Sequence, residues 1–299
     1  SITKSNKKND RNDARELARL AIADPGMLHP VFLKDEIYQR TLNLHGGRNI
    51  LISQRTQLTN HIRGIAKSYG HRIEKVSTES FHRLNHSAWP KELEQVVWPL
   101  MGMIKMINLK IKAYDKLIER LAEKPEFKWM VERAQVVYGI GIIGSTVIVA
   151  LIGGRPDRFT HARDIGPYFG MTPKQDQSGE DDKQLRITRA GADIARKTLV
   201  ECAGVVLMAN APDTDLKLKG LRIGMRGGKI AKKKAKIAVA RCLATTVLAL
   251  LKHREEEYVP LSKEGEEGFK RYRADLEYLT MQNVAKKDKA EKKSRNAAA

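Results

Sequence analysis

The chain has 299 residues, 41% hydrophobic and 30% charged, and its 55 Lys and Arg against 35 Asp and Glu leave a formal charge of +20 at pH 7. That length accommodates two packed domains, and the charge exceeds what solubility asks, which points to a polyanionic partner whose counterions are released on binding. No membrane-spanning helix is read, because the most apolar stretch, VVYGIGIIGSTVIVALIGG, is broken by five glycines; nor is a cysteine framework, because Cys202 and Cys242 lie in apolar helical patterns without metal-ligand spacing; and a stacking platform for single strands is not the main signal, because aromatics make up only 6%.

The start, SITKSNKKNDRNDARELA, has no apolar signal core and does not open with Met, so it reads as a processed or truncated start rather than a targeting peptide. Residues 12–23 have helical composition, with Asn12 or Asp13 placed to cap and DPGMLHP as the stop. Asp10 and Asp13, three apart, share one helical face. Two such carboxylates suit Mg²⁺ beside a phosphodiester, with Lys8 and Arg11 on the same phosphates, or simply a solvated helix start.

From Lys34 to Tyr69 the pattern is helical with a break at HGGRN, and its exposed side is basic. A third helical block, Lys91 to Glu123, repeats Leu100, Met103, Ile104, Ile107, Ile111, Tyr114, Leu117, Ile118 and Leu121 by threes and fours. That is a heptad-like seam for pairing with another chain or with its own subunit, with a kink expected near Pro99 and Gly102. The histidines His71, His82 and His86 lack a metal-ligand pattern and read as surface groups.

In VYGIGIIGSTVIVALIGG a helix, a turn at Gly139 and Gly141, and a second helix follow one another. The second helix start offers N–H groups to a phosphate, or the pair serves packing alone. Residues 172–189 read as an irregular polar loop holding Ser178 and Gly179, followed by a turn at Gly191. A serine needs a base, a metal or converging cations to act as a nucleophile. Lys183, Arg186, Arg189, Arg196 and Lys197 are the cations at hand, and a solvated loop serine is the other reading.

The helix opening RGGKIAKKKAKIAVAR clusters Arg226, Lys229, Lys232, Lys233, Lys234 and Lys236. Helical spacing puts Lys229, Lys233 and Lys236 on one side with Lys232 close by, a phosphate-binding face, while Ile230, Ile237, Ala240 and Leu243 are expected to face the core. Beyond Pro260 the chain is charge-rich, with a short helix at EEGFKRYRADLEYLTMQNVA and a disordered cationic end.

Taken together, KNDRNDARELA, RTQLTNHIRGIAKSYG, GIGIIGSTVIVALIGG with RFTHARDIGPYFGMTPKQDQSG, ITRAGADIARKTLVECA and RGGKIAKKKAKIAVARCLA resemble, in order and interval, the IS110/IS1111-type transposases. The resemblance runs from residue 7 to about 255. It implies an α/β protein, mostly helical in this chain. Residues 1–90 would be the C-terminal part of a RuvC-like DEDD domain and 91–127 a coiled-coil assembly helix. Residues 128–255 would be a helical transposase domain with a helix-hairpin-helix-like motif, and 256–299 a charged, partly disordered tail.

It further implies that Asp10 and Asp13 stand for the last two acidic residues of a Mg²⁺ site and Ser178 for the nucleophile that forms a phosphoserine link to DNA. Arg186, Arg189, Arg196, Lys197 and the 226–236 cluster would then hold nucleic acid. The implied partners are element-end and target DNA, a structured guide RNA and further copies of the chain as a dimer or tetramer. The implied place is the bacterial cytoplasm, on the nucleoid when bound to DNA. The chain is read as beginning downstream of the family's first Asp and its Glu, which keeps open a catalytically incomplete binding and assembly fragment, or a metal-dependent nuclease that ignores Ser178. It departs at Ala192, where the family carries Asn or Asp, a change expected to weaken a local cap.

Overall fold

The computed structural model describes residues 9–28, 31–85, 89–178 and 181–278, excepting the side chains of 175–178 and 181–184. Lys8, His86, Gly179 and the end from residue 279 lie outside the described residues. The chain divides into two units, Ser1–Asp35 and Glu36–Ala299.

The first unit contains α1 (Asp10–Ala23), which buries no side chain. Its cap is Asn9, whose carboxamide oxygen accepts from Asn12 N–H at 2.8 Å, so the helix begins a turn earlier than Asn12 or Asp13 would have started it. Asp10 and Asp13 therefore sit in the first turn, where the partial positive charge of the helix terminus favours carboxylates. Asp24 stops the helix and caps the short turn Pro25–Met27 by accepting from Gly26 N–H.

In the second unit α2 (Glu36–Ser68) and α3 (Lys91–Ala122) form an antiparallel arm. Arg48 meets Asp115 at 2.5 Å and Arg55 meets Asn108 at 2.8 Å; seven residues forward on one helix match seven back on the other. The break expected at HGGRN is absent, because Gly47 is where α2 approaches the Tyr114 ring: a Cβ there would lie 2.8 Å from the phenol oxygen. The helix assignment of α3 likewise runs through Pro99 and Gly102. Val97, Met101, Ile104, Ile107, Ile111, Ile118 and Leu121 are buried, whereas Met103 and Leu117 of the expected seam face outward.

The main core is built on α5 (Ile142–Ile152), apolar all round and therefore enclosed, by α4 (Pro125–Gln135), α7 (Asp193–Val206), α2 and α3, and it extends to α9 (Gly228–Lys252), which packs on α7 and α4. Helix α8 (Asp215–Gly224) packs on α9, and each fully buried Leu or Ile here contributes roughly 1.5–3 kcal/mol. In the α4–α5 connection Gly139, at φ +92°, lets the turn press on α7: a Cβ would lie 2.7 Å from Val206 Cγ2. Gly141 stands at the N-cap of α5. Ile230, expected to face the core, is 71% exposed, while Ala240 and Leu243 are buried. Cys202 is buried, which pushes its thiol pKa up to about 11, and Cys242 is half-buried; neither is disulfide-bonded.

The arm joins the bundle through a buried polar contact between His45 of α2 and Thr146 of α5, Nε2 to Oγ1 at 3.0 Å. The Thr146 hydroxyl donates to Ile142 O, so its oxygen accepts from Nε2–H of a neutral imidazole. Burial lowers the His45 pKa from 6.5 to about 4, with Arg48 adding to the shift and Asp115 opposing it. The unfolded chain therefore binds the extra proton first, and stability present above pH 6.5 is lost as pH falls through about 4. Thermal unfolding followed from pH 7 to pH 4 is expected to show a loss on the order of 3 kcal/mol from this residue, and His45→Gln is expected to flatten that part of the profile.

Residues 173–187 form a hairpin, β1 (Pro173–Ser178) antiparallel to β2 (Asp181–Ile187), where an irregular loop was expected. Apart from Gln184, Leu185, Arg186 and Ile187 at the end of β2, PKQDQS and DDKQLRI show no apolar and polar alternation, so the usual strand signal is short and the pairing rests on the backbone ladder. This is the only sheet among the described residues; the fold is mostly helical, and no RuvC-like sheet occurs among them. The short helix expected after Pro260 at EEGFKRYRADLEYLTMQNVA is present among the described residues as α10 (263–278), starting three residues earlier. Phe269 of α10 is buried and Arg273 pairs with Asp213 at 2.5 Å. Ser262, just before it, donates its N–H to Asp215 of α8. No helix among the described residues is long and apolar enough to cross a membrane.

Candidate nucleic-acid site at the hairpin

Ser178 is the last residue of β1, its backbone in register with Asp181 of β2. The hairpin it ends is clamped at its root. Gly170 (φ +64°) and Gly191 (φ +88°) adopt a conformation that side chains disfavour. A Cβ on Gly170 would overlap the carbonyl oxygen of Ala190, and one on Gly191 the carbonyl oxygen of Tyr168. Thr188 N–H donates to Thr172 O at 2.9 Å and Arg189 N–H to Gly170 O at 3.1 Å, extending the ladder into the root.

Arg196 of α7 completes the clamp. Its Nη1 donates to Phe169 O at 3.1 Å, Ala190 O at 3.4 Å and Gly191 O at 3.0 Å, and its Nη2 meets Asp193 at 3.2 Å. The side chain is 11% exposed. Expected as a nucleic-acid contact, it is spent on the protein's own carbonyls. Asp193 is held below the usual carboxylate range by the Lys197 ammonium at 2.7 Å and by Arg196. Ala192, at the N-cap of α7, makes no side-chain cap bond, as its chemistry requires.

The other expected cations are open to solvent. Arg186 and Arg189 are exposed on the hairpin and its root, and Arg226, Lys229, Lys232, Lys233 and Lys236 on and before the first turns of α9. Lys197 shares a face of α7 with Gly204, seven residues on. Lys236 Nζ lies over Gly204, 4.0 Å from where its Cβ would be. The cationic face of α9 thus adjoins α7, whose first turn abuts the hairpin root. Arg11 is exposed on α1, in the other unit with Asp10 and Asp13.

The sequence reading missed Arg241. It is exposed in the otherwise apolar half of α9, and its Cγ and Cδ lie 3.3 Å from where a Cβ of Gly166 would stand, beside the helical turn α6 (Ile165–Tyr168) that leads into the hairpin. Its spacing of seven from Lys234 was the available signal.

No cluster of three or more metal-ligating side chains occurs among the described residues. Asp10 and Asp13 alone offer two carboxylates on one face, a set that fits Mg²⁺ when phosphate oxygens and water complete the shell.

A family model described as Transposase IS116/IS110/IS902 family matches residues 131–218, the stretch holding α5, the hairpin and α7. An IS110 DEDD-type transposase model matches residues 1–71, which hold α1 and α2. A Sinorhizobium fredii protein carrying a transposase name, y4pF/y4sB, is 31% identical over 64% of this chain and 49% of its own length. The transposase for insertion sequence element IS1111A of Coxiella burnetii is 27% identical over 84% of this chain and 68% of its own, and that for IS1328 of Yersinia enterocolitica 26% identical over 69% and 60%. The chain spans about half the length of the first of these relatives and about two thirds of the second. Two matched segments in the order of the motifs, with relatives aligned across most of the chain, make it homologous to the IS110/IS1111-family transposases.

Proposed function

We propose that this chain is a DNA transposase in which Ser178 attacks a DNA phosphodiester. The observation that carries the reading is the clamped hairpin: a polar, serine-ending ladder fixed at its root by Gly170, Gly191 and Arg196, inside the matched segment. In the attack the Ser178 Oγ–P bond forms, the P–O bond to one deoxyribose breaks, and the serine proton passes to the departing oxygen. Religation reverses these steps with a second strand's hydroxyl as the attacking group. Arg186, Arg189 and Arg241 around the hairpin and root would neutralise charge building on the phosphorane. Lys197 and the α9 lysines would grip the flanking backbone without reading bases. Asp10 and Asp13 of a neighbouring copy would hold Mg²⁺, which would supply Lewis-acid neutralisation of the phosphate oxygens.

The test is incubation of the chain, with its cognate structured RNA, on supercoiled DNA carrying element ends. A phosphoserine peptide mapping to Ser178 in the trapped covalent product is expected. A covalent product at another residue, or strand cleavage without one, would overturn the assignment, the latter in favour of a metal-dependent nuclease.

Assembly into an oligomer belongs to the same proposal. The outward side of α3 carries Trp98, Gly102, Met106, Leu109, Ala113 and Leu117 in heptad-like spacing, with Trp98 62% and Met106 and Leu109 each 55% exposed. A second copy burying this stripe would remove it from water. Met106→Glu with Leu109→Glu is expected to lower self-association at least about tenfold in sedimentation equilibrium. An unchanged oligomer would move assembly elsewhere.

A further inference from the structure

The far end of the arm is a second structural centre with no part in the hairpin site. Ile62, Ala66, Phe81, Leu93, Val97, Met101 and Ile104 form their own small core there, separate from the main one. Helix α2 ends in a Schellman turn, with Gly70 at φ +78°, His71 N–H donating to Ala66 O and Gly70 N–H to Lys67 O. This turn sends residues 71–77 back beside α2, where Arg63 Nη2 donates to Val76 O at 2.7 Å and the guanidinium stacks over the Phe81 ring at 5.2 Å. Arg63 is thereby held in place with donors to spare.

Between the returning segment and α2 lies a cavity of about 410 Å³, lined by Arg63, Arg72, Ile73, Glu74 and Lys75. Three cations and one carboxylate leave it cationic. Arg72 and Lys75 are exposed, and among the described residues neither has an ion-pair or hydrogen-bond partner. An arginine fixed by a carbonyl and a ring, beside two unpaired cations in a concave site, is an arrangement that fits a tetrahedral oxyanion. Lys67, Arg83 and Lys91 add exposed positive charge around the same end of the arm.

Resting on the proposed function only for the presence of nucleic acid, we infer that this cavity binds a backbone phosphate of that nucleic acid, as an anchor distinct from the hairpin. The arm sets its reach. From His45, where α2 meets the bundle, to Arg63 is eighteen residues, about 27 Å at the helical rise. That spacing corresponds to roughly 8 base pairs of duplex. The arm thus lengthens the footprint by most of a helical turn and contributes affinity without sequence preference.

The test uses the full chain with Arg72→Gln and Lys75→Gln together, two exposed positions whose change leaves Arg63, Phe81 and the small core in place. Probes are an element-end duplex and, separately, the element's structured RNA. The expected result is about tenfold weaker binding, a log–log salt slope shallower by about 0.9 on duplex DNA, as for one phosphate contact, and protection shortened by roughly 8 base pairs at one edge. Loss confined to the RNA probe assigns the phosphate to RNA, and loss on the duplex assigns it to DNA. Wild-type binding that the double variant reproduces in affinity, slope and footprint overturns the cavity while leaving the hairpin reading intact. A wild-type chain that binds neither probe sinks both.

Discussion

Replacing Ser178 with Ala is expected to abolish covalent attachment of the chain to DNA, lowering product at least about 10³-fold, the scale on which loss of a nucleophile acts in serine enzymes. The substitution removes one oxygen and retains the β1 backbone, so helical content and thermal midpoint are expected to stay near wild type. DNA affinity is expected to persist as well, because the cations assigned to backbone contact lie on other residues: Arg186, Arg189, Lys197 and the exposed face of α9. The three readouts together are decisive. Loss of adduct with retained fold and binding assigns chemistry to Ser178, whereas adduct at the wild-type rate removes it from the mechanism. Strand cleavage that survives without adduct would transfer the chemistry to the carboxylates of α1.

How far the sequence reveals this arrangement differs from element to element, for physical reasons. Helix α9 was largely legible because its lysines and, Ile230 excepted, its apolar residues follow the 3.6-residue period. Burial on α3 was only partly legible. Apolar residues occupy two of its sides, one against α2 and one outward, and periodicity cannot say which of Ile104 and Met103 meets the partner. The hairpin was illegible as strand because most of its sequence is polar, so the pairing of its main-chain groups leaves little apolar period to read.

The charged residues of the site show the same division. Arg186, Arg189 and Arg196 look alike in the sequence, yet the first two are exposed and the third is occupied by three carbonyls. What separates them is the fold of residues 165–191, which no local pattern encodes. Arg241 was missed for the converse reason. It interrupts an apolar run, and only the proximity of Gly166 shows that it borders the hairpin.

Arg196→Lys is therefore expected to have a large effect on chemistry and a small one on binding. Lysine keeps the charge but loses the planar fork, so it cannot serve Phe169 O, Gly191 O and the Asp193 carboxylate together at their present 3.0–3.2 Å. Each lost bond costs roughly 0.5–1.5 kcal/mol, and the loss is local to the hairpin root, so the bundle is expected to remain folded with a modestly lower thermal midpoint. A hairpin free to shift by about 1 Å misplaces the attacking hydroxyl, which costs on the order of 10²-fold in rate. Hydrogen exchange at Thr188 and Arg189, whose N–H groups donate across the root, is expected to quicken in parallel. DNA affinity and its salt dependence are expected to stay at wild-type values, because the guanidinium faces carbonyls. If Arg196 instead contacted DNA, charge-conserving Lys would change little, whereas Arg196→Gln would flatten the log–log salt slope by about 0.9. An adduct rate unchanged in Arg196→Lys, together with a flattened slope in Arg196→Gln, would place this side chain on the nucleic acid and leave the two glycines alone to fix the hairpin.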